Sequence, residues 1–226
     1  MLAEINGKPL IWHTWNQARK AKALDAVVVA TDSREICDAL TPYGAEVVMT
    51  SEKIKTGTDR VAAAAQKFKR FVPDIVINIQ GDEPMMPASA IQKTAELLIN
   101  NPKAVMSTVA THFKSKGDLP NPGFVKVVLD RAGEALYFSR ALIPYERADA
   151  GVEYLWHIGI YGFRRAFLET FVKLKQTPLE KTELLEQLRA MENGYPILVG
   201  VGKYERMEVN TAEELELVRS AMRKRI

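Results

Sequence analysis

The chain has 226 residues, 47% of them hydrophobic and 26% charged, and its 31 basic and 28 acidic side chains give a formal net charge of +3. That length holds one α/β domain with a sizeable core, or one domain with an added lobe. The balanced charge calls for neither a nucleic acid nor a membrane surface as partner, and it leaves an anionic substrate open.

A single cysteine, Cys37, excludes an internal disulfide and fits a reducing compartment. No apolar stretch approaches the ~20 residues of a membrane span. No charged-then-apolar signal segment opens the chain. The sequence therefore reads as cytoplasmic.

In chain order, a loop precedes Pro9 to Ala23, whose periodicity is helical, with Leu10, Ile11, Trp12 and Trp15 on the apolar face. Ala26 to Ala30 is a short valine-rich strand. Thr31-Asp32-Ser33 caps a helix running to about Leu40, with Glu35 in its first turn. Cys37 falls on this helix and reads as a small buried residue, since no motif surrounds it. Ala45 to Met49 is the next strand, Val61 to Phe68 an alanine-rich helix, Ile75 to Ile79 an apolar strand, and Pro87 to Ile99 a helix with Ser89 near its cap. That alternation predicts a parallel sheet with helices on both faces.

The second half changes character. Ala104 to Ala110, Val125 to Leu129, Leu136 to Phe138, Ile158 to Phe163 and Pro196 to Val201 read as strands. Phe167 to Leu174 and Glu183 to Asn193 read as helices, the second stopped by Gly194. Thr211 to Lys224 is a closing helix with a capping box from Thr211 to Glu214. Arg219, Arg223, Lys224 and Arg225 suit the carbonyl end of its dipole. These strands continue the sheet and add a mixed lobe. We read one structural domain over 1–226, with a first part at 1–110 and a second part at 111–226.

The most informative residues are Gln80-Gly81-Asp82-Glu83-Pro84. They follow the apolar strand, at the carboxyl end where open α/β sheets bind ligands. Gly81 permits close backbone approach, and Asp82 offers the hard oxygen that Mg²⁺ accepts. A plain strand-end turn with two solvated acids fits the same five residues.

Nine collinear stretches together resemble the 3-deoxy-manno-octulosonate (Kdo) cytidylyltransferases. They are Ile5-Asn6-Gly7-Lys8-Pro9-Leu10-Ile11, Val29-Ala30-Thr31-Asp32, Thr56-Gly57-Thr58-Asp59-Arg60, Asn78-Ile79-Gln80-Gly81-Asp82-Glu83-Pro84, and Asn121-Pro122 with Val125-Lys126-Val127-Val128. The rest are Tyr137-Phe138-Ser139-Arg140-Ala141-Leu142-Ile143-Pro144-Tyr145, His157-Ile158-Gly159-Ile160-Tyr161, Leu185-Glu186-Gln187-Leu188-Arg189 with Glu192-Asn193-Gly194, and Val209-Asn210-Thr211.

The resemblance implies a three-layer, Rossmann-like nucleotide-diphospho-sugar transferase fold with a smaller mixed α/β lobe. It implies an enzyme that joins CTP to Kdo with loss of pyrophosphate, for lipopolysaccharide synthesis, and that forms homodimers. It places Mg²⁺ on Asp82, with position 210 as second ligand, and makes Asp82 catalytic. Thr56, Gly57, Thr58, Arg60 and Gln80 would lie against the nucleotide. Arg140, His157, Tyr161, Glu186 and Gln187 would line the pocket of the acid sugar. Taken singly, each has a duller reading: a capped helix start with Thr58 or Asp59 as cap and Arg60 solvated, a satisfied histidine, a tyrosine in sheet packing, a solvated helix face for Glu186 and Gln187.

Three departures stand against the family pattern. Members begin with a strand and a Pro-Ala-Arg-x-x-Ser-x-Arg-x-Pro-Gly-Lys loop that grips the triphosphate, whereas this sequence starts at Met1-Leu2-Ala3-Glu4, after that loop would end. The reading is a shortened form of a longer protein, with a gap in its sheet or a re-paired one. Asn210 replaces the usual second aspartate and would weaken Mg²⁺ binding. Ile54 stands where a histidine is common. Two alternatives follow: a non-catalytic or truncated paralogue, and a cytidylyltransferase for another ulosonic or sialic acid.

Overall fold

The computed structural model describes residues 1–148, 151–205 and 207–223. The chain opens on a hairpin, β1 (Glu4–Ile5) paired antiparallel with β2 (Lys8–Pro9), where the sequence predicts only a loop. Asn6 and Gly7 turn it with φ of 49° and 72°, a left-handed pair that glycine tolerates at the second position. Next come α1 (Leu10–Ala18), β3 (Val28–Thr31), α2 (Arg34–Leu40), β4 (Glu46–Met49), α3 (Gly57–Lys67), β5 (Ile75–Asn78) and α4 (Ala88–Asn100). The second half supplies β6 (Met106–His112), β7 (Lys126–Leu129), β8 (Ala135–Ser139), β9 (Leu155–Arg164), α5 (Arg165–Phe171), α6 (Pro178–Glu183), α7 (Leu188–Glu192), β10 (Ile197–Gly202) and α8 (Ala212–Arg223).

Three helices and the burial of Cys37 differ from the sequence reading. α1 stops at Ala18 because the chain tightens into i→i+3 turns at Lys20 and Ala21, and the Ala23 N–H is taken by Gln92 Oε1 at 2.8 Å. α3 begins four residues early, at Gly57. Its cap is Thr56, whose Oγ1 accepts from the Asp59 N–H at 3.1 Å, and neither Thr58 nor Asp59 caps it. The single helix predicted over Glu183 to Asn193 is two helices, α6 and α7, parted at Leu184, which takes a left-handed φ of 53°. Cys37 lies on α2 half-buried, not buried. The predicted cap of α8 holds: the Glu214 N–H donates to Thr211 Oγ1 at 3.2 Å, and Glu214 Oε2 accepts from the Thr211 N–H at 3.1 Å. Lys224 and Arg225 lie outside the described residues.

The chain forms two compact units. The first is Met1–Pro73, Asn78–Gln92 and Glu205–Ile226, and the second is Asp74–Ile77 with Lys93–Tyr204. In the first unit, β3 and β4 pair in parallel as a two-stranded sheet, with Val28 opposite Glu46 and Thr31 opposite Met49. Ile11, Trp15, Val29 and Leu40 form one apolar cluster there, and Ile5, Leu10, Met85 and Val218 form another. The second cluster joins both ends of the chain. Val218 on α8 packs with Ile5 and Leu10, and Arg219 donates to the Glu4 carbonyl from Nε at 2.9 Å and Nη2 at 2.6 Å.

The second unit holds a six-stranded mixed sheet in the order β10-β6-β9-β7-β8, with β5 also on β9. β10 runs parallel to β6, while β6 and β7 run antiparallel to β9. β5 thus joins strands of the second half, and no strand among the described residues pairs with both β3 and β5. Phe163, Phe167 and Phe171 pack ring to ring at 5.5 to 6.4 Å. Each such buried side chain contributes about 1.5–3 kcal/mol. Arg189 on α7 reaches back to α6, donating to Glu180 from Nε at 2.8 Å and Nη2 at 2.5 Å, with its guanidinium 5.0 Å from the Phe171 ring. Both partners are buried, and this pair, with the Arg189 bond, holds the Glu180 carboxyl below its usual range against its own desolvation.

Removing one member of such a pair strands a buried charge. Arg189→Ala should lower unfolding free energy by about 3–5 kcal/mol, and replacing Glu180 and Arg189 together by leucine and methionine should cost far less than the two single changes summed. Urea unfolding of the four proteins checks this, and additive losses would show that the pair is uncoupled.

In the first unit His13 Nε2 donates to the Ile5 carbonyl at 2.8 Å. Burial, aided by the Lys8 charge and opposed by the Ile5 carbonyl, lowers its pKa below 6.5. Unfolded His13 then binds a proton that the folded ring refuses, so its contribution is complete above pH 6.5 and is lost as pH falls from there toward the folded value. His13→Gln should flatten the fall in stability between about pH 7 and 5, as read from urea midpoints.

Candidate functional site

The residues singled out from the sequence fall into two groups, one in each unit. In the first unit, Gln80-Gly81-Asp82 lie just after Asn78, the last residue of β5. The Gly81 carbonyl accepts from Thr14 Oγ1 at 2.7 Å. A Cβ on Gly81 would stand 2.9 Å from Met1 Sδ and 3.1 Å from Ile11 Cδ1, so a larger residue would make those two side-chain ends shift. The Asp82 carbonyl accepts from the Val209 N–H at 3.0 Å. That bond sets Asn210, the next residue, beside Asp82, although 128 positions separate them in the sequence. The Asn210 N–H is itself fixed by Glu214 Oε2 at 2.6 Å.

The first turn of α3 lies against the same strand end. A Cβ on Gly57 would meet Gln80 Oε1 at 3.3 Å, so the Gln80 amide lies across the helix start. Thr58 Oγ1 accepts from Asn78 Nδ2 at 3.2 Å. Thr56, Gly57, Thr58 and Gln80 are thus brought together as expected.

Arg60 is not solvated. Its Nη1 donates to Thr50 Oγ1 at 2.6 Å, and its Nη2 to Asp32 Oδ2 at 2.7 Å and the Ile54 carbonyl at 3.3 Å. Asp32 follows β3 and Thr50 follows β4, so one guanidinium ties two strand ends to the first turn of α3. Charge-assisted bonds of this kind are the stronger ones. The sequence reads Asp32 as part of a helix cap and of a matching stretch, whereas the cap of α2 is Ser33 and Asp32 pairs with Arg60; an acid directly after an apolar strand is the signal for that role. The Ile54 position works through its carbonyl, which any side chain supplies.

Among the described residues no three His, Cys, Asp or Glu side chains converge as a metal cluster. A divalent cation at Asp82 and Asn210 would have one carboxylate, one amide oxygen, and the remainder from phosphate and water. That hard, mostly non-protein oxygen set fits Mg²⁺.

The second group is built on β9. His157 and Tyr161 stand with ring centroids 5.5 Å apart. His157 Nε2 lies 2.9 Å from Thr108 Oγ1, and Phe138 packs edge-on to the imidazole at 4.8 Å. The Tyr161 hydroxyl donates to Gln187 Oε1 at 2.9 Å. Gln187 Nε2 is buried without a hydrogen-bond partner, a donor of the kind that a ligand oxygen satisfies. Glu186 sits 3.7 Å from Arg189 in the turn between α6 and α7.

Arg140 joins this group through the chain. Its Nε donates to the Glu183 carbonyl at 2.7 Å, Nη2 to the Leu184 carbonyl at 3.4 Å and Nη1 to the Pro122 carbonyl at 3.0 Å. It caps the end of α6 just before the turn that carries Glu186 and Gln187. Glu183 accepts from the Arg140 N–H at 2.9 Å and from Ser139 Oγ at 2.6 Å.

Lys126 is fully buried and donates from Nζ to the carbonyls of Arg140 at 2.6 Å and Asn121 at 3.2 Å. Burial lowers its pKa, with Glu183 opposing and Arg140 adding. Thr108, Glu183 and Lys126 were assigned no role from sequence. A lysine inside the apolar run Val125-Lys126-Val127-Val128 was the available signal; for Thr108 there was none.

Known proteins bear on this arrangement. A family model described as Cytidylyltransferase matches residues 1–206. A 3-deoxy-manno-octulosonate cytidylyltransferase of Francisella tularensis subsp. holarctica is 44% identical, over 97% of this chain and 90% of that protein. A mitochondrial one of Arabidopsis thaliana is 40% identical, over 99% of this chain and 78% of its own length. Among solved structures, a CMP:2-keto-3-deoxy-manno-octonic acid synthetase complexed with CTP superposes with a TM-score of 0.94 at 34% identity, covering all of this chain and 92% of that one. A putative glucose-1-phosphate thymidylyltransferase from Bacillus anthracis, at 13% identity and a TM-score of 0.65, shares the nucleotidyltransferase fold. By that family model and those identities, this chain belongs to the 3-deoxy-manno-octulosonate cytidylyltransferase family.

Proposed function

We propose that this protein transfers CMP from CTP to Kdo, giving CMP-Kdo and pyrophosphate for lipopolysaccharide synthesis. The observation that carries the reading is the end-to-end likeness to a synthetase solved with CTP. A hydroxyl oxygen of the acid sugar attacks the α-phosphorus. The bond to the bridging oxygen breaks, and pyrophosphate leaves with its electron pair.

Such chemistry rests on placement and charge neutralisation. Thr56, Gly57 and Thr58 at the start of α3, with Gln80 across them, hold the nucleotide through short polar groups. Arg60 keeps that turn in place from behind. Asp82 and Asn210 would hold Mg²⁺, which when bound neutralises phosphate charge. His157, Tyr161, Glu186 and Gln187 present hydroxyl, amide, imidazole and carboxylate groups to a polyhydroxylated sugar, and Arg140 shapes the turn they depend on.

We place this step in the cytoplasm, and the unpaired Cys37 fits such a reducing compartment. Leu136, Leu142, Tyr145 and Leu184 are large apolar side chains exposed in the second unit, and a second copy of the chain would cover them in a homodimer.

The test is pyrophosphate release from CTP with Kdo and Mg²⁺, on this chain and on one extended by its upstream codons. Turnover in either supports the reading; a folded, extended protein with none refutes it in favour of a non-catalytic paralogue. Asp82→Asn should lower kcat by roughly a hundredfold or more with the unfolding midpoint unchanged, because the carbonyl that meets Val209 remains. Near-normal turnover would remove Asp82 from the chemistry. Asn210→Asp should lower the Mg²⁺ concentration needed for half-maximal rate, and an unchanged titration would take Asn210 out of the site.

A further inference from the structure

β9 does not run evenly along β6. Thr108 stands opposite Tyr161, and the next residue of β6, Val109, stands opposite Ile158. Two residues of β9, Gly159 and Ile160, therefore have no partner on β6. An unbulged strand would hold positions 157 and 161 about 13 Å apart. Here Ala110 faces His157 and Thr108 faces Tyr161, so the two rings sit on β6 positions two apart, about 7 Å along a strand. Their observed separation of 5.5 Å follows from the bulge.

A bulge takes carbonyls out of the ladder, and buried carbonyls need a donor. The Thr108 hydroxyl stands 2.7 Å from the Ile160 carbonyl and 3.2 Å from the Ile158 carbonyl. Thr108 is fully buried. A hydroxyl has one hydrogen, and a carbonyl can only accept. That hydrogen is committed to the bulge, so toward His157 Nε2, 2.9 Å away, Thr108 Oγ1 can only accept. Nε2 therefore carries the imidazole proton, and in the neutral ring Nδ1 is the acceptor nitrogen.

We propose that Thr108 is a positioning residue for the transfer reaction: it pins the β9 bulge and fixes His157 in the Nε2–H tautomer, and so sets how the imidazole is presented to the acid sugar. The part concerning turnover rests on the sugar-pocket reading of His157; the part concerning the tautomer does not.

The test uses the full-length protein labelled with ¹⁵N-histidine, in the Thr108→Val and Thr108→Ser variants as well as the unmodified chain. Long-range ¹H–¹⁵N spectra of the unmodified protein should show His157 protonated on Nε2, and the Nδ1–H pattern overturns the proposal outright. Thr108→Ser keeps the hydroxyl and should keep both the tautomer and the kinetics. Thr108→Val should lose the single tautomer pattern and raise KM for Kdo about tenfold, with KM for CTP moving less than twofold. Equal loss for both substrates, or a valine variant that behaves like the serine one, overturns it. His157→Ala separates the two layers. If KM for Kdo is unchanged in that variant, the sugar-pocket reading and the turnover part of the proposal fall, while the spectra still decide the tautomer.

Discussion

The larger sheet depends on one irregular strand. β9 pairs with β5, β6 and β7, so it organises the second unit. Its two unpaired residues, Gly159 and Ile160, shorten it where His157 and Tyr161 must meet. A regular strand would have served the core equally well and kept those rings apart. The bulge sacrifices ladder bonds, and the Thr108 hydroxyl replaces them from the neighbouring strand. Core and candidate site are thus one construction, with the buried Phe138 edge-on to the His157 imidazole and Ile158 buried beside it in the strand.

The first unit uses charge where the second uses strand geometry. Among the described residues its parallel sheet has only β3 and β4, too little to hold the loops that follow them. Arg60 joins those loops to α3 by bonds to Asp32, Thr50 and the Ile54 carbonyl. On the other side, a backbone bond from Val209 to Asp82 brings in the segment ahead of α8. Neither device is a large hydrophobic surface. Each converts a strand end into a fixed point, which is what phosphate chemistry requires of a scaffold.

Much of this was legible in the sequence. The element order follows from periodicity and caps, and every predicted strand is present with edges moved by one to three residues. Thr211 and Glu214 announced their cap correctly because a capping box is a local interaction. The split between α6 and α7 was not legible. It depends on Leu184 taking a left-handed conformation, held by Arg140 from a distant strand end. The partners of the site residues were hidden for the same reason. Asp32 with Arg60, Lys126 with Arg140 and Thr108 with His157 are tertiary pairs, and periodicity is silent about them. The residues named from family resemblance did fall into two groups, but Arg60 and Arg140 spend their donors on the protein itself.

The clasp between Arg219 and the Glu4 carbonyl sets an order of assembly during synthesis. The second unit is nearly continuous, from Lys93 to Tyr204 with one short strand borrowed from upstream. It can close as soon as Tyr204 has left the ribosome. The first unit begins the chain but lacks α8 until the last residues emerge, so Ile5, Leu10 and Met85 wait without Val218 to cover them. At about 5–20 residues per second that interval lasts several seconds or more. The half of the molecule made first therefore finishes folding last, and Ile5 and Leu10 are the side chains that a nascent-chain chaperone would meet.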